Sequence, residues 1–175
     1  MGWKENYYLT ASRFVPYKRI DLIVDAFSKM PDKKLIVIGD GPDEEKIKQK
    51  SSKNIEFLGY QTGAVLIERM QKAKAFVFTA EEDFGIMVVE ALSCGTPVIA
   101  FNKGGTAETV TDFKNGIHFN SQTIEAITDA VNKFELSQDK FDLEIISKDA
   151  KKYDRKIFEE KIQSFIQERT KEFFQ

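Results

Sequence analysis

The chain has 175 residues, of which 42% are hydrophobic and 31% are charged, so it can bury a core and disorder is not expected. The formal net charge of −2 argues against broad nucleic-acid binding, which needs a basic face, but it leaves small phosphorylated ligands possible. No apolar stretch approaches the roughly 20 residues that a membrane-spanning helix needs, and the start of the sequence has no signal-peptide pattern. We therefore expect a cytoplasmic protein, and the single Cys94 excludes an internal disulfide and a cysteine-based zinc site.

Short β-rich runs alternate with helical patterns along the chain. We predict strands at residues 7–12, 35–39, 55–59, 75–79, 97–101 and 117–120. We predict helices at residues 18–30, 43–51, 63–72, 85–94, 105–111, 124–134, 143–152 and 156–173. Several strand candidates are continuous apolar runs, which is typical of strands buried on both faces. The pattern indicates an α/β domain with a doubly wound, Rossmann-like parallel sheet of about six strands, in which ligands bind at the carboxyl ends of the strands.

The loop after the first predicted strand is rich in cations. It carries Arg13, Lys18 and Arg19, and Pro16 fixes a turn within it. Cations in a first helical turn oppose the helix dipole, whereas exposed N–H groups together with cations form a good anion site. Both an anion site and a solvated basic turn paired with Asp21 are compatible with this loop.

Two further loops contain paired glycines. Gly39 and Gly41 resemble part of a dinucleotide-binding fingerprint, but the full G-x-G-x-x-G is missing and acidic residues fill the next helical turn. We interpret this loop as a tight turn that lets a ligand approach closely. Gly104 and Gly105 precede a helix, where they would allow close approach and leave free N–H groups. The loop at 59–62 could meet a base through its backbone.

The segment 81–90, EEDFGIMVVE, combines an acidic cluster with a glutamate inside an apolar run. Within one helix, Glu82 and Glu90 would lie about 12 Å apart along the axis, so they are separate contacts and not an acid/base dyad. We place Glu82 in the loop and Glu90 deeper in the helix, where a carboxylate among apolar side chains needs hydrogen bonds. A ribose diol could supply them, as could a nearby cation or backbone group, and Glu82 could simply belong to a dipole-stabilising cluster. His118, the only histidine, is interpreted as structural.

Together these loops resemble the donor-binding half of family 4 glycosyltransferases, which are retaining enzymes of the GT-B class. The matching features are Arg13 and Lys18, GDGP at 39–42, FLG at 57–59, the E-x7-E pair, PVIA at 97–100 and GG-x-x-E at 104–108. The segments RFVPYKRIDL, EEDFGI, ALSCGTPVIA and GGTAETV are similar to the O-antigen mannosyltransferase branch. This finer resemblance implies a GDP-mannose donor and a role in lipopolysaccharide or other surface polysaccharide synthesis.

The resemblance also implies a role for each matched position. Arg13 and Lys18 would bind the donor diphosphate and stabilise the departing nucleoside diphosphate, while Glu82 would contact the transferred sugar and complete the catalytic set. Glu90 would bind the ribose. Backbone groups would line the sugar at Phe84, Gly85, Ile86 and Met87, and would meet the base at Leu58, Gly59 and Tyr60. No metal and no cofactor other than the donor substrate is implied.

A GT-B enzyme has two Rossmann-like domains, and this sequence matches only the second of them over residues 1–175. The resemblance therefore implies that an N-terminal acceptor domain is absent, that the isolated domain is inactive, and that any peripheral membrane contact at the inner face of the membrane would come through the absent domain. The alternatives are a UDP- or ADP-sugar donor, and the non-catalytic half of a split glycosyltransferase. The expected partners are the nucleotide-sugar donor and the acceptor domain, and not nucleic acid.

Overall fold

Six parallel strands form one sheet in the computed structural model, which describes residues 4–174. The strands are β1 (Tyr8–Ala11), β2 (Leu35–Ile38), β3 (Ile55–Gly59), β4 (Ala75–Phe78), β5 (Val98–Phe101) and β6 (Gly116–Phe119). Their order is β3-β2-β1-β4-β5-β6, and each neighbouring pair is parallel. The Rossmann-like fold is confirmed. The order reverses between β1 and β4, and the carboxyl ends of strands at such a reversal form a ligand crevice.

The helices connect these strands and cover both faces of the sheet. They are α1 (Ile20–Ser28), α2 (Glu44–Lys48), α3 (Gly63–Lys72), α4 (Ile86–Ser93), α5 (Gly105–Thr109), α6 (Ile124–Glu135), α7 (Leu143–Ala150) and α8 (Arg155–Phe173). Helix α1 packs against α6, and α4 packs against α7. Every residue of β1, β2, β4 and β5 is consequently buried. This explains why the sequences of these strands are continuous and mainly apolar.

Local side-chain bonds fix where several helices begin. The side chains of Thr123, Asp142 and Asp154 accept hydrogen bonds from backbone N–H groups in the first turns of α6, α7 and α8. These N–H groups have no partner inside the helix, so a capping oxygen stabilises the helix start.

The first helix starts later than the sequence predicts. Residues Pro16–Lys18 form a short 3-10 turn, and Arg19 then adopts a left-handed conformation with φ 54°. Helix α1 therefore begins at Ile20 and not at Lys18. As a result, Lys18 belongs to a turn at the edge of the sheet instead of to the helix itself.

The last helix, α8, is exposed at every residue except Ile157, which is half-buried. It buries none of its residues, and Phe158, Phe165 and Phe173 are all more than half exposed. No described helix, α8 included, has both the length and the apolar character needed to cross a bilayer.

Candidate functional site at the carboxyl edge of the sheet

The loops after β1 and β2 are packed directly against each other. A Cβ atom added at Gly39 would lie 1.8 Å from the carbonyl oxygen of Ser12, and one added at Gly41 would lie 2.5 Å from that of Phe14. Such distances leave no room for any side chain at either position. The close approach predicted at these glycines is thus made by the chain's own backbone, which fixes the loop that carries Arg13.

The second pair of glycines packs against the acidic loop before α4 in the same way. A Cβ atom at Gly104 would lie 2.3 Å from the carbonyl oxygen of Glu82, and one at Gly105 would lie 2.6 Å from that of Asp83. The N–H of Gly105 also donates to the Glu82 carbonyl at 2.7 Å. The paired glycines predict a free N–H here, but the N–H of Gly105 instead holds the loop that carries Glu82.

Lys18 and Glu82 bring the β1 and β4 loops together. Their ammonium and carboxylate groups form an ion pair, and only 16% and 20% of the two side chains are exposed. Burial lowers the pKa of Lys18 below its ordinary value. Glu82 lies in the loop, as predicted, and pairs as an isolated bridge with Gly104. An ammonium group has three donors, so Lys18 can bind both this carboxylate and an anionic ligand.

Arg13 lies in the same loop as Lys18, but it is exposed and forms no ion pair within residues 4–174. The nearby basic residue Arg19 instead contacts Asp21 at 3.3 Å. The sequence left open an anion site or a solvated basic turn paired with Asp21, and the pairing with Asp21 is made by Arg19. The guanidinium of Arg13 is available to a ligand.

A cavity of about 310 Å³ opens beside Arg13 at the ends of β1 and β2. Its walls include Ser12, Arg13, Asp40, Tyr60, Gln61, Leu66 and Met87. Tyr60 is 75% exposed, so its ring is accessible to a ligand. Gln61 donates to the carbonyl oxygen of Leu58 at 2.6 Å, so one of the carbonyls proposed to face a base already accepts a hydrogen bond.

The amino end of α4 adds backbone donors to this edge. The helix begins at Gly85, which has φ 75° and no side-chain cap, and the left-handed conformation suits glycine. The N–H groups of Ile86 and Met87 have no acceptor within the described part of the chain. Free N–H groups at a helix start favour anions, so they add to the positive potential of Lys18.

Glu90 is exposed, so the expectation that its carboxylate is buried is wrong. Helix α4 turns Val88 and Ala91 toward the core and turns Ile86 and Glu90, which are four residues apart on one face, toward solvent. A groove of about 410 Å³ runs between α3 and α4 beside Glu90. Helical periodicity accounts for the charge in the apolar run, and no described cation pairs with it.

This groove neighbours the first cavity, and Leu66 lines both. Its other walls include Ile67, Phe84, Ile86, Val89, Cys94 and Tyr153, and Phe84 packs edge-on against Tyr153 with ring centroids 5.8 Å apart. Cys94 is half-buried at the end of α4. The site therefore extends from Arg13 past the start of α4 to Glu90.

Two polar residues at this edge were not identified from the sequence. Thr79, at the end of β4, donates to the carbonyls of Lys18 and Arg19, and Gln122 donates to the carbonyl of Thr79. A single threonine or glutamine after a strand carries no recognisable pattern, so only the topology brings these residues to the site. One ring nitrogen of His118 lies 3.5 Å from the carboxylate of Asp112, and the other lies 3.2 Å from the carbonyl oxygen of Thr106.

The fold and these loops define a doubly wound α/β domain, with its crevice at the reversal of strand order. Residues 2–157 match the family described as Glycosyl transferases group 1. The chain belongs to this family, and its sheet and flanking helices match those of GT-B glycosyltransferase structures.

Two curated relatives and one solved structure illustrate the range of the family. The GDP-mannose-dependent monoacylated alpha-(1-6)-phosphatidylinositol monomannoside mannosyltransferase of Corynebacterium glutamicum is 34% identical over 115 residues, which cover 57% of this chain and 30% of that protein. The sulfoquinovosyl transferase SQD2 of Arabidopsis thaliana is 32% identical over 147 residues, which cover 78% of this chain and 28% of that protein.

The structure of Anabaena Alr3699/HepE in complex with UDP superposes with a TM-score of 0.81 at 22% identity, covering 93% of this chain and 49% of that one. This likeness concerns the fold. The chain spans about a third of the length of the curated relatives that it matches.

Proposed function

We propose that this chain is the donor-binding domain of a retaining glycosyltransferase, and that its donor is GDP-mannose. The observation that carries the proposal is the convergence of cations and free backbone donors at the switch point. Lys18 lies in a turn beside β4, Arg13 is unpaired on the β1 loop, and the start of α4 is uncapped. This arrangement suits a diphosphate between two loops of an α/β sheet.

In the proposed complex, the diphosphate lies between Arg13, Lys18 and the N–H groups of Ile86 and Met87. When the bond between sugar and phosphate breaks, negative charge develops on the departing diphosphate, and fixed cations stabilise that charge. Glu82 contacts hydroxyls of the transferred sugar, and the sugar separates the acidic loop from the phosphates. The segment 84–87 lines the sugar.

The remaining part of the donor lies along the cavity and the neighbouring groove, which share Leu66. The exposed carboxylate of Glu90 accepts hydrogen bonds from two hydroxyls of the ribose. The base lies beside Leu58, Gly59 and Tyr60. Tyr60 is mostly exposed, so it can pack against a planar base. The proposal of GDP-mannose is supported by the relative from Corynebacterium glutamicum, whose name states that donor.

A second candidate donor is a UDP-sugar, because the Anabaena structure with the same fold was solved with UDP. Guanine and uracil differ in size and in their hydrogen-bonding edges, so the cavity beside Tyr60 and Gln61 should discriminate between them. The affinities for GDP and UDP distinguish the two candidates.

We further propose that the acceptor site lies on another domain, since the chain spans only about a third of its curated relatives. The acceptor would be a polysaccharide or a lipid-linked sugar, and membrane contact would also come from that domain. This chain alone is then expected to bind the donor without transferring the sugar.

Calorimetric titration of the chain with GDP, GDP-mannose, UDP and UDP-glucose tests the proposal. We expect binding of GDP and GDP-mannose, and we expect Arg13→Ala to weaken both about tenfold, as for loss of a charge-assisted hydrogen bond. Arg155→Ala, at a side chain that is 89% exposed on α8, is the matched control and should change neither affinity. Tighter binding of UDP would favour the second candidate, and no binding of any of the four would contradict the proposed function.

A further inference from the structure

Thr79 is a polar residue directly after β4, at the carboxyl edge of the sheet, and it is only 1% exposed. Its hydroxyl donates to the carbonyl oxygens of Lys18 at 2.9 Å and Arg19 at 3.1 Å. A hydroxyl has one hydrogen, so this hydrogen is shared between the two carbonyls. The bond joins the end of β4 to the turn that carries Lys18.

The backbone bonds of that turn are local, since the N–H of Lys18 donates to the carbonyl of Val15 and the N–H of Arg19 donates to that of Pro16. Pro16–Lys18 buries none of its residues, so apolar packing cannot fix its position. Arg19 has φ 54°, a left-handed conformation that costs a non-glycine residue free energy. Hydrogen bonds to the backbone can offset that cost, and Thr79 supplies them to the carbonyls before and after the Arg19 Cα atom.

The same strand end also leads to Glu82, three residues after Thr79. Thr79 fixes the backbone of the turn, and the ion pair between Lys18 and Glu82 joins the two side chains. The hydroxyl therefore sets the position from which the Lys18 side chain reaches Glu82. Without it, the ion pair between Lys18 and Glu82 would be left to join the turn to the loop after β4.

Gln122 supports Thr79 from the other side. It lies between β6 and α6, and its side-chain amide donates to the carbonyl oxygen of Thr79 at 2.7 Å. Thr79 is thereby hydrogen-bonded through both its side chain and its backbone. The loops after β1, β4 and β6 are linked through this one residue.

We infer that Thr79 is a positioning residue for the transfer reaction, whose hydroxyl holds Lys18 at the point where it meets both Glu82 and the donor diphosphate. The inference rests on the proposed function for the diphosphate, but the link between Thr79 and Lys18 can be measured without nucleotide.

The test compares Thr79→Val, which keeps the shape and removes the hydroxyl, with Thr79→Ser, which keeps the hydroxyl. The first readout is the NMR titration of the Lys18 side chain in the nucleotide-free chain. We expect Thr79→Val to release Lys18 into solvent, so that its lowered pKa returns toward the ordinary value, and we expect Thr79→Ser to retain the lowered pKa. Thr128→Val is the control, because Thr128 bonds only to Ile124 within its own helix.

The second readout is the affinity for GDP. Thr79→Val should weaken it about tenfold, and Thr79→Ser should restore it to within about twofold. If Thr79→Val leaves both the Lys18 titration and the GDP affinity unchanged, the inference is overturned. If the titration changes while the parent chain does not bind GDP, the positioning of Lys18 stands and the proposed function fails.

A second variant covers the case in which Thr79→Val does not fold. Gln122→Met removes the bond to the Thr79 carbonyl at a half-buried position. We expect a change in the Lys18 titration in the same direction and a loss of GDP affinity of about threefold. An unchanged titration in this variant would overturn the inference as well.

Discussion

Each end of the sheet carries a carboxylate paired with a lysine, but the two pairs have different surroundings. At the amino end, Glu135 accepts a hydrogen bond from Tyr8, one from Lys74 at 2.7 Å and one from Gln138. Lys33 lies 4.0 Å away. Every one of these groups comes from the chain itself, so the network is complete without a ligand.

At the carboxyl end, Glu82 forms its ion pair with Lys18, and Arg13 has no partner among the described residues. The N–H groups at the start of α4 are likewise open. A complete network contributes to folding, whereas an unpaired arginine beside open N–H groups is suited to an anionic ligand. We therefore expect the amino end to contribute to the stability of the fold and the carboxyl end to bind an anionic ligand.

The pKa values of the amino-end groups agree with this assignment. Burial raises the pKa of Glu135, but hydrogen bonds from Lys74 and Tyr8 more than offset it and hold that pKa below its ordinary value. Burial and the bond to Glu135 raise the pKa of Tyr8. Both shifts keep the network in the hydrogen-bonded form seen in the structure.

The largest expected effect concerns how the carboxyl-end loops are fixed. Gly39→Ala places a Cβ atom against the Ser12 carbonyl at a residue with φ 129°, and we expect a loss of about 4 kcal/mol in the free energy of unfolding, measured with urea. Gly63→Ala is the control, because nothing lies within 4 Å of its Cβ position. If both variants were equally stable, the carboxyl end would not depend on backbone packing.

The next effect tests the amino end. Glu135→Gln removes the charge that Tyr8 and Lys74 share, and we expect the free energy of unfolding to fall by about 2–3 kcal/mol, with no change in GDP affinity. Glu125→Gln, at an exposed position on the same helix, should be neutral in both measurements. A loss of GDP affinity in Glu135→Gln would contradict the separation of stability at the amino end from ligand binding at the carboxyl end.

A smaller effect is expected at the carboxyl end. Lys18→Met keeps most of the apolar stem and removes the charge, so GDP affinity measured by calorimetry should fall about tenfold, or ~1.4 kcal/mol. The free energy of unfolding should change by less than in Glu135→Gln. Lys29→Met, on the exposed end of α1, serves as the control. A stability loss as large as that of Glu135→Gln would make Lys18 a structural residue.

The smallest effect is a pH dependence. The folded-state pKa of Glu135 lies below its ordinary value of 4.5, so its stabilisation is fully present above that value and is lost as the pH falls through the folded-state pKa. Glu135→Gln should therefore flatten the acid limb of a plot of unfolding free energy against pH. An unchanged acid limb would mean that other carboxylates dominate it.

The sequence predicts the sheet well because its strands are continuous apolar runs, which require burial on both faces. It does not predict the start of α1, since Arg19 carries no glycine-like signal and its conformation depends on a bond from Thr79, sixty positions away. The sequence does indicate which face of α4 is exposed, because Ile86 and Glu90 are four residues apart and share one helical face. The apolar composition of the α4 sequence by itself predicts a buried Glu90, and this prediction is wrong.

The glycine loops show a different limit of sequence reasoning. A glycine is needed wherever an atom must come close to the backbone, whether that atom belongs to a ligand or to the chain. At Gly39 and Gly104 the atom is a carbonyl oxygen of a neighbouring loop. Only the topology, which places these loops side by side, distinguishes the two cases.

The most direct test of the division between the two ends is an NMR titration of backbone amides in the full chain with GDP. We expect chemical-shift changes at the carboxyl end, in residues 12–19, 58–61 and 82–90. We expect none around Tyr8, Lys74 and Glu135. Shifts centred on the amino end, or no shifts at GDP concentrations that saturate known GDP-binding proteins, would contradict it.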